Sequence, residues 1–363
     1  MSVCVVVTGV GGGVGQSVMK GLRLANQNIG RDYYIVGVDA NPLAAGLYRA
    51  DRGYRLPPAS DDDTYIEALI EVMNREDAEV LIPGSDPEVV SIAQHVDRIE
   101  SNTGAVVIIS SIDTVTMCSD KWSTFEFLMS KGFNAPVSAL PTGIDDLLAQ
   151  VDYPLVVKPR VGWGSRDLRI VMNYEELQSA ITKTKNPIIQ EYLIPIEWEK
   201  CDLTREQASK QVDEYSTEVL ADKNGKVLGS ITNWREMEKG IPTRAVIEPF
   251  EEIRSVCEEI VGQMNAKGPI NLQARITERG VTFFEINARF SGSTAVRCVA
   301  GFNGPDMMIS NFLFNKEITD EDLIFSDLVE MRYKEEVFVN KSDYESMLSK
   351  GVTSRVGIIH KSF

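Results

Sequence analysis

The stretch "NLQARITERGVTFFEINARFSGS", residues 271–293, reads as two β-strands joined at Arg279-Gly280. Apolar and polar residues alternate on both arms, and glycine marks the tight turn between them. Gln273 stands on the first arm, Glu285 and Asn287 on the second. Residues two apart on a strand point to the same face, so Glu285 and Asn287 converge on one site. Arg289 joins them if the strand persists. Oxygen-only side chains of this kind suit Mg²⁺ bridged to phosphates better than zinc, and an arginine beside them can neutralise phosphate charge. Taken alone, a Glu-x-Asn-x-Arg face is equally an exposed face of an antiparallel sheet.

Working outward, the same hairpin texture begins near Leu155. "PLVVKPRVGWGSRDLRIV" (154–171) is strand, Gly-rich turn, strand, and "IIQEYL" (188–193) is an apolar strand carrying Gln190 and Glu191. "EYSTEVLADKNGKVLGSITNW" (214–234) turns at Asn224-Gly225, with helices expected at 174–184 and 250–266. The polar run 197–213 reads as a loop or short helical insertion. Lys158 ends a strand immediately before flexible backbone amides, where charge and N–H donors together can meet phosphate oxygens. On its own, a Lys-Pro before a turn is ordinarily a solvated charge. Lys121, in "SDKWSTFEFL", sits at a helix start.

The first hundred residues have another rhythm. "VCVVV", "YYIVGVD", "AEVLIP" and "AVVIIS" are short strands separated by amphipathic helices, including one over "DPEVVSIAQHVDRI". That alternation predicts βαβ units in a parallel, doubly wound sheet ending near Ser111. Between its first strand and helix lies "VTGVGGGVGQS" (7–17). With Asp39 closing the second strand it resembles a dinucleotide fingerprint, but Val14 breaks the G-x-G-x-x-G spacing. Three readings stand at this point: a dinucleotide site, a site for another ligand, and a structural turn.

Bulk properties narrow the class. A chain of 363 residues is long for one core and predicts two or three domains. Its net charge of −16 lacks the basic footprint that nucleic-acid binding requires. No apolar run is long enough to span a bilayer, and no secretory leader is evident, so a cytoplasmic protein without membrane partners is expected. Five scattered cysteines without C-x-x-C fit reduced thiols. Two histidines, His95 and His360, argue against a His-rich zinc site and against a Ser-His-Asp hydrolase.

In the order Lys121, Lys158 with its Gly-rich turn, Glu191, Glu214, Gln273, Glu285-x-Asn287-x-Arg289, these pieces resemble the ATP-grasp superfamily. The likeness is greatest to its carbamoyl-phosphate synthase large-subunit-like and PylC-like branch of carboxylate ligases. It implies an α/β Rossmann-like pre-ATP-grasp domain (1–111) followed by α+β ATP-grasp lobes, a central one (112–190) and a C-terminal one (191–363). It further implies that Lys121 and Lys158 contact ATP phosphates under a loop containing Gly162, Gly164 and Ser165. Gln190, Glu191, Tyr192 and Leu193 would meet adenine, with Glu191 near its exocyclic amine, and Glu214 would bond the ribose. The polar insertion before Glu214 is longer than the family pattern suggests. Gln273 or Glu285, with Asn287, would hold one or two Mg²⁺ (Mn²⁺ as a substitute), and Arg289 would stabilise the transferring phosphoryl group. The implied reaction is ATP-dependent activation of a small-molecule carboxylate as an acylphosphate for attack by an amine, with a homodimer allowed. Carboxyphosphate chemistry like that of carbamoyl-phosphate synthase and an NAD(P)-dependent oxidoreductase are the alternatives. Arg160, Arg235, Arg244 and Arg297 are candidates for gripping a substrate carboxylate, and each is also a candidate for an ordinary surface ion pair.

Overall fold

The computed structural model describes residues 2–162, 164, 167–198, 203–209, 211–238, 241–333 and 336–353. Ser165, His360 and Cys201 lie outside them. The N-terminal unit contains β1 (Val3–Val7), α1 (Gly13–Asn28), β2 (Tyr33–Asp39), α2 (Ala45–Arg49), β3 (Arg52–Arg55), α3 (Asp62–Arg75), β4 (Val80–Ile82), α4 (Asp86–Gln94), α5 (Val96–Thr103) and β5 (Val106–Val107). Its five strands run in the order β3-β2-β1-β4-β5, with each neighbouring pair parallel, as the βαβ rhythm predicts. The expected helix over "DPEVVSIAQHVDRI" is broken. His95 leaves helical geometry at ψ 18° and separates α4 from α5.

Next come α6 (Ile112–Ser119) and α7 (Lys121–Ser130), then β6 (Ser138–Ala139), α8 (Ile144–Leu148), β7 (Leu155–Pro159), β8 (Arg169–Val171), α9 (Tyr174–Lys183) and β9 (Pro187–Glu191). The four strands form an antiparallel sheet, β6-β9-β7-β8, with a small core of its own around Leu147, Leu155, Val157, Leu177 and Ile189. The last unit holds α10 (Arg205–Ser209), β10 (Gln211–Ala221), β11 (Val227–Glu238), β12 (Ile241–Ile247), α11 (Glu251–Gly262), β13 (Gly268–Thr277), β14 (Gly280–Asn287), α12 (Thr294–Ala300), α13 (Gly304–Phe314), β15 (Leu328–Met331) and α14 (Lys341–Lys350). Its six-stranded sheet has the order β14-β13-β10-β11-β12-β15.

The lobe boundaries expected at 111/112 and 190/191 meet this packing unevenly. Val115, Cys118 and Leu128 of α6 and α7 share a core with Phe283 and Ile286 of β14 and with Leu81 of the N-terminal sheet. These helices therefore belong to the large body, and the small lobe starts with its own strands. The apolar sides of α6 and α7 are buried on β14, which periodicity alone does not assign. Among the described residues, no helix is long and apolar enough to cross a membrane.

The glycine loop is part of this joint. Gly9 takes a left-handed φ of +58°, and a Cβ on Gly15 would lie 2.6 Å from the Gly9 carbonyl oxygen. The Gly11 N–H donates to Asp39 Oδ2 at 2.6 Å, so the carboxylate that a ribose would need is bonded to the loop. Beyond the loop, Ser17 Oγ donates to the Gly292 carbonyl at 3.0 Å, and Asn303 Nδ2 donates to the Gly21 carbonyl at 2.8 Å. The glycines let α1 pack tightly on its sheet and dock against the C-terminal unit.

Candidate active site

The two antiparallel sheets line one cleft of about 800 Å³. On the small lobe, Leu155 and Val157 face the lobe's core, which turns Val156 and Lys158 toward the cleft by the two-residue period. Val156, Ile170, Val171, Tyr192 and Leu193 give this wall an apolar stretch. The large sheet contributes Glu214 from β10, Arg235 from β11, Gln273 and Arg275 from β13, and Glu285 from β14. Cross-strand register aligns them: Glu214 lies opposite Arg235, and Gln273 opposite Glu285.

Lys121 and Lys158 meet at one end. Lys121, the first residue of α7, donates from Nζ to the Gly162 carbonyl at 2.8 Å, which ties the helix start to the Gly-rich turn. Lys158 is only 8% exposed. Burial, with Lys121 nearby, pushes its ammonium down to about 8 against the pull of Glu285 and Glu214. Burial draws the Glu285 carboxyl upward, but Lys121, Lys158, the Asn287 amide and Arg289 outweigh it and hold the group below the ordinary glutamate value. Asn287 Nδ2 donates to Glu285 Oε1 at 3.0 Å. An ionised carboxylate with an amide neighbour, facing a lysine-lined cleft, is a set of side chains that could hold Mg²⁺, which would supply charge screening there.

Several expected roles meet a different arrangement. Glu191 lines the cleft, and its carboxylate accepts from the Val137 N–H at 3.0 Å and pairs with Arg279. Glu214 does reach the cleft, where its carboxylate bridges Arg235 at 3.2 Å and Arg275 at 3.4 Å. Arg289 is bidentate to Asp86 of α4, at 2.9 and 3.0 Å, and touches Asn287 Oδ1 at 3.3 Å.

Of the four arginines expected to grip substrate, Arg235 alone lines the cleft. Arg160 pairs with Asp120, the N-cap of α7, and Arg244 stacks 5.0 Å over Trp234 and pairs with Glu236. Arg297 is fully buried. It binds Glu218 at 2.9 Å and donates to the Ser216 carbonyl and Asn233 Oδ1. Sequence reasoning missed Arg275 and Asp86. The two-residue period that united Glu285 with Asn287 also places Arg275 beside Gln273. Asp86 carries no such local signal, because its partner is 203 residues away.

Comparison with known proteins agrees with this architecture. The family model described as ATP-grasp in the biosynthetic pathway with Ter operon matches residues 211–333. A second, for a PylC-like N-terminal domain, matches residues 12–108. A carbamoyl-phosphate synthase of Methanobrevibacter smithii is 22% identical over 170 residues, covering 45% of this chain and 45% of that protein. A D-alanine–D-alanine ligase of Fusobacterium nucleatum is 26% identical over 188 residues, covering 51% of this chain and 60% of the ligase. The chain thus spans less than two thirds of either relative. The crystal structure of N5-carboxyaminoimidazole synthetase from Staphylococcus aureus complexed with ADP superposes with a TM-score of 0.67 at 16% identity, over 96% of this chain and 86% of that one. Residues 12–108 thus match a PylC-like N-terminal domain and residues 211–333 an ATP-grasp domain, and the solved structure shares the fold.

Proposed function

We propose that this protein is an ATP-dependent ligase that activates a carboxylate as an acylphosphate for attack by an amine, releasing ADP and phosphate. The observation that carries the reading is the convergence of Lys121, Lys158 and ionised Glu285 in a cleft whose small-lobe wall has an apolar stretch. A carboxylate is a poor electrophile because its charge is delocalised and oxide is a hopeless leaving group. Transfer of the γ-phosphoryl group onto it supplies a leaving group, and the protein need only position the reactants and screen charge. Val156, Ile170 and Leu193 would enclose the base, Glu214 would face the ribose, and Lys121 and Lys158 would hold phosphate oxygens below Gly162 and Gly164. Glu285 and Asn287 would hold Mg²⁺, which when bound screens the phosphate charge during transfer. Arg289, oriented by Asp86, would meet the transferred group. The buried thiols Cys4, Cys118, Cys257 and Cys298 suit a reducing cytoplasm.

The test is a screen of amino acids and small carboxylates for stimulated phosphate release, followed by heavy-oxygen labelling of the active carboxylate. One labelled atom should appear in the released phosphate, with ADP as the other product. Label in AMP, or unlabelled phosphate, would exclude the acylphosphate route.

A pH profile checks Lys158. The ammonium is charged below about 8 and loses its proton above it, so kcat/KM for ATP should fall as pH rises through that value. The break in kcat should lie higher, because bound polyphosphate retains the proton. Lys158→Arg should remove the alkaline break, and Lys158→Ala should slow the reaction about 10²-fold. A wild-type profile flat to pH 10 would remove the lowered value, and a Lys158→Ala variant with the wild-type rate would remove Lys158 from phosphate binding.

A further inference from the structure

We propose that β15 is an interface strand, on which a second copy of this chain pairs antiparallel and joins the two six-stranded sheets into one. β15 ends the order β14-β13-β10-β11-β12-β15, and among the described residues no strand lies on its far side. The opposite end is treated differently, because α6 and α7 pack on β14. Residues 328–333 include neither proline nor lysine, which ordinarily blunt an open edge. They present instead a row of apolar side chains at a period of two: Val329, Met331 and Tyr333 are 57, 78 and 79% exposed. Leu328, Glu330 and Arg332, on the other face, are half-buried.

The backbone agrees with the side chains. The Arg332 N–H donates to the Thr243 carbonyl of β12 at 3.0 Å, one step beyond the Arg244–Met331 pair. Hydrogen-bonded positions alternate along an antiparallel ladder, so Glu330 and Arg332 turn their polar groups toward β12. Val329, Met331 and Tyr333 turn theirs to the open edge. The residues with outward backbone groups are thus the ones with exposed apolar side chains.

Charge selects the occupant. Two copies related by a two-fold axis can hydrogen-bond only in registers that set odd-numbered residues against odd-numbered ones, since these carry the outward groups. Centred on Met331, the register places Glu330 opposite the partner's Arg332, Arg332 opposite the partner's Glu330, and Val329 opposite the partner's Tyr333. Opposite charges and apolar pairs directly across two strands are both stabilising. A centre at Glu330 would set two glutamates face to face, and a centre at Arg332 two arginines. Glu330 and Arg332 already pair within one chain at 3.1 Å, so the two-fold would close a ring of four alternating charges. The segment Val-Glu-Met-Arg-Tyr (329–333) is therefore complementary to itself in one register, as an isologous interface requires.

Sedimentation velocity over a concentration series of the whole protein, beside cysteine cross-linking, tests this. The expected result is a concentration-dependent dimer. Met331→Lys, at an exposed position, sets two ammonium groups together on the axis and should weaken dimerisation roughly 10²-fold or more with an unchanged melting curve. Met331→Cys should cross-link to its own copy on mild oxidation, relative to wild type, because directly paired Cα atoms lie about 5.5 Å apart. Val329→Cys should not, its two copies standing about 14 Å apart along the strands in this register. A wild type monomeric at every concentration, which would leave the edge to a strand of another protein, would overturn the proposal. So would a dimer that survives Met331→Lys. Cross-linking of Val329→Cys in place of Met331→Cys would overturn the register on which it rests. None of these readings depends on ATP binding, so they stand apart from the function proposed above.

Discussion

Glu285→Ala is expected to reduce ATP turnover by about 10²- to 10³-fold while the protein remains folded. The carboxylate sits on the cleft face of β14, with Lys121, Lys158 and the Asn287 amide around it, and it supplies no apolar packing to the core. Its removal takes the one carboxylate from the inferred Mg²⁺ site and leaves two lysines facing each other. Added Mg²⁺ should then no longer restore the rate, and the thermal midpoint should move by only a few degrees. Phosphate release measured across a Mg²⁺ titration, beside a melting curve, decides this. Wild-type turnover in the variant would remove the metal assignment, and a collapsed melting transition would make Glu285 a structural residue.

Arg297→Ala should act in the opposite way, through stability. Arg297 and Glu218 are both at 0% exposure, and the guanidinium also bonds Ser216, Asn233 and Ser291. Removing one partner of a buried ion pair strands the other charge without water, at a cost of about 3–5 kcal/mol. Replacing both, as Arg297→Met with Glu218→Leu, should recover much of the loss, because no bare charge then remains. Urea unfolding measures the two variants. A single variant with unchanged stability and a raised KM for the carboxylate substrate would return Arg297 to the substrate site.

Much of the site was legible because its chemistry lies on strands. A period of two is local information, so Glu285 and Asn287 could be set on one face from their spacing, and the structure joins them by a hydrogen bond. Lys158 could be placed at a strand end for the same reason. The substrate arginines were not legible. A guanidinium makes the same sequence signal whether it lines a cleft, stacks on Trp234 as Arg244 does, caps a helix through Asp120 as Arg160 does, or sits buried as Arg297 does. Which of these it does depends on neighbours from other segments. Glu191 shows the same limit from the acidic side, its carboxylate being drawn to Val137 and Arg279 across strands.

By itself the sequence determined the class of each unit: a parallel βαβ sheet, then antiparallel hairpins, with a period-two row of metal- and phosphate-competent side chains on the last of them. Those features depend on φ/ψ preferences and residue spacing, which act over a few positions. Only the tertiary structure decided what the glycine loop does, where α6 and α7 pack, and which charges meet. Gly11 bonds Asp39, Asp86 meets Arg289, and Arg235 lies between Glu214 and Gln273 because separate segments are brought within hydrogen-bond reach. Ion pairing and close packing depend on distances through space that fall to a few ångströms only after the chain has folded. No spacing along the sequence encodes them.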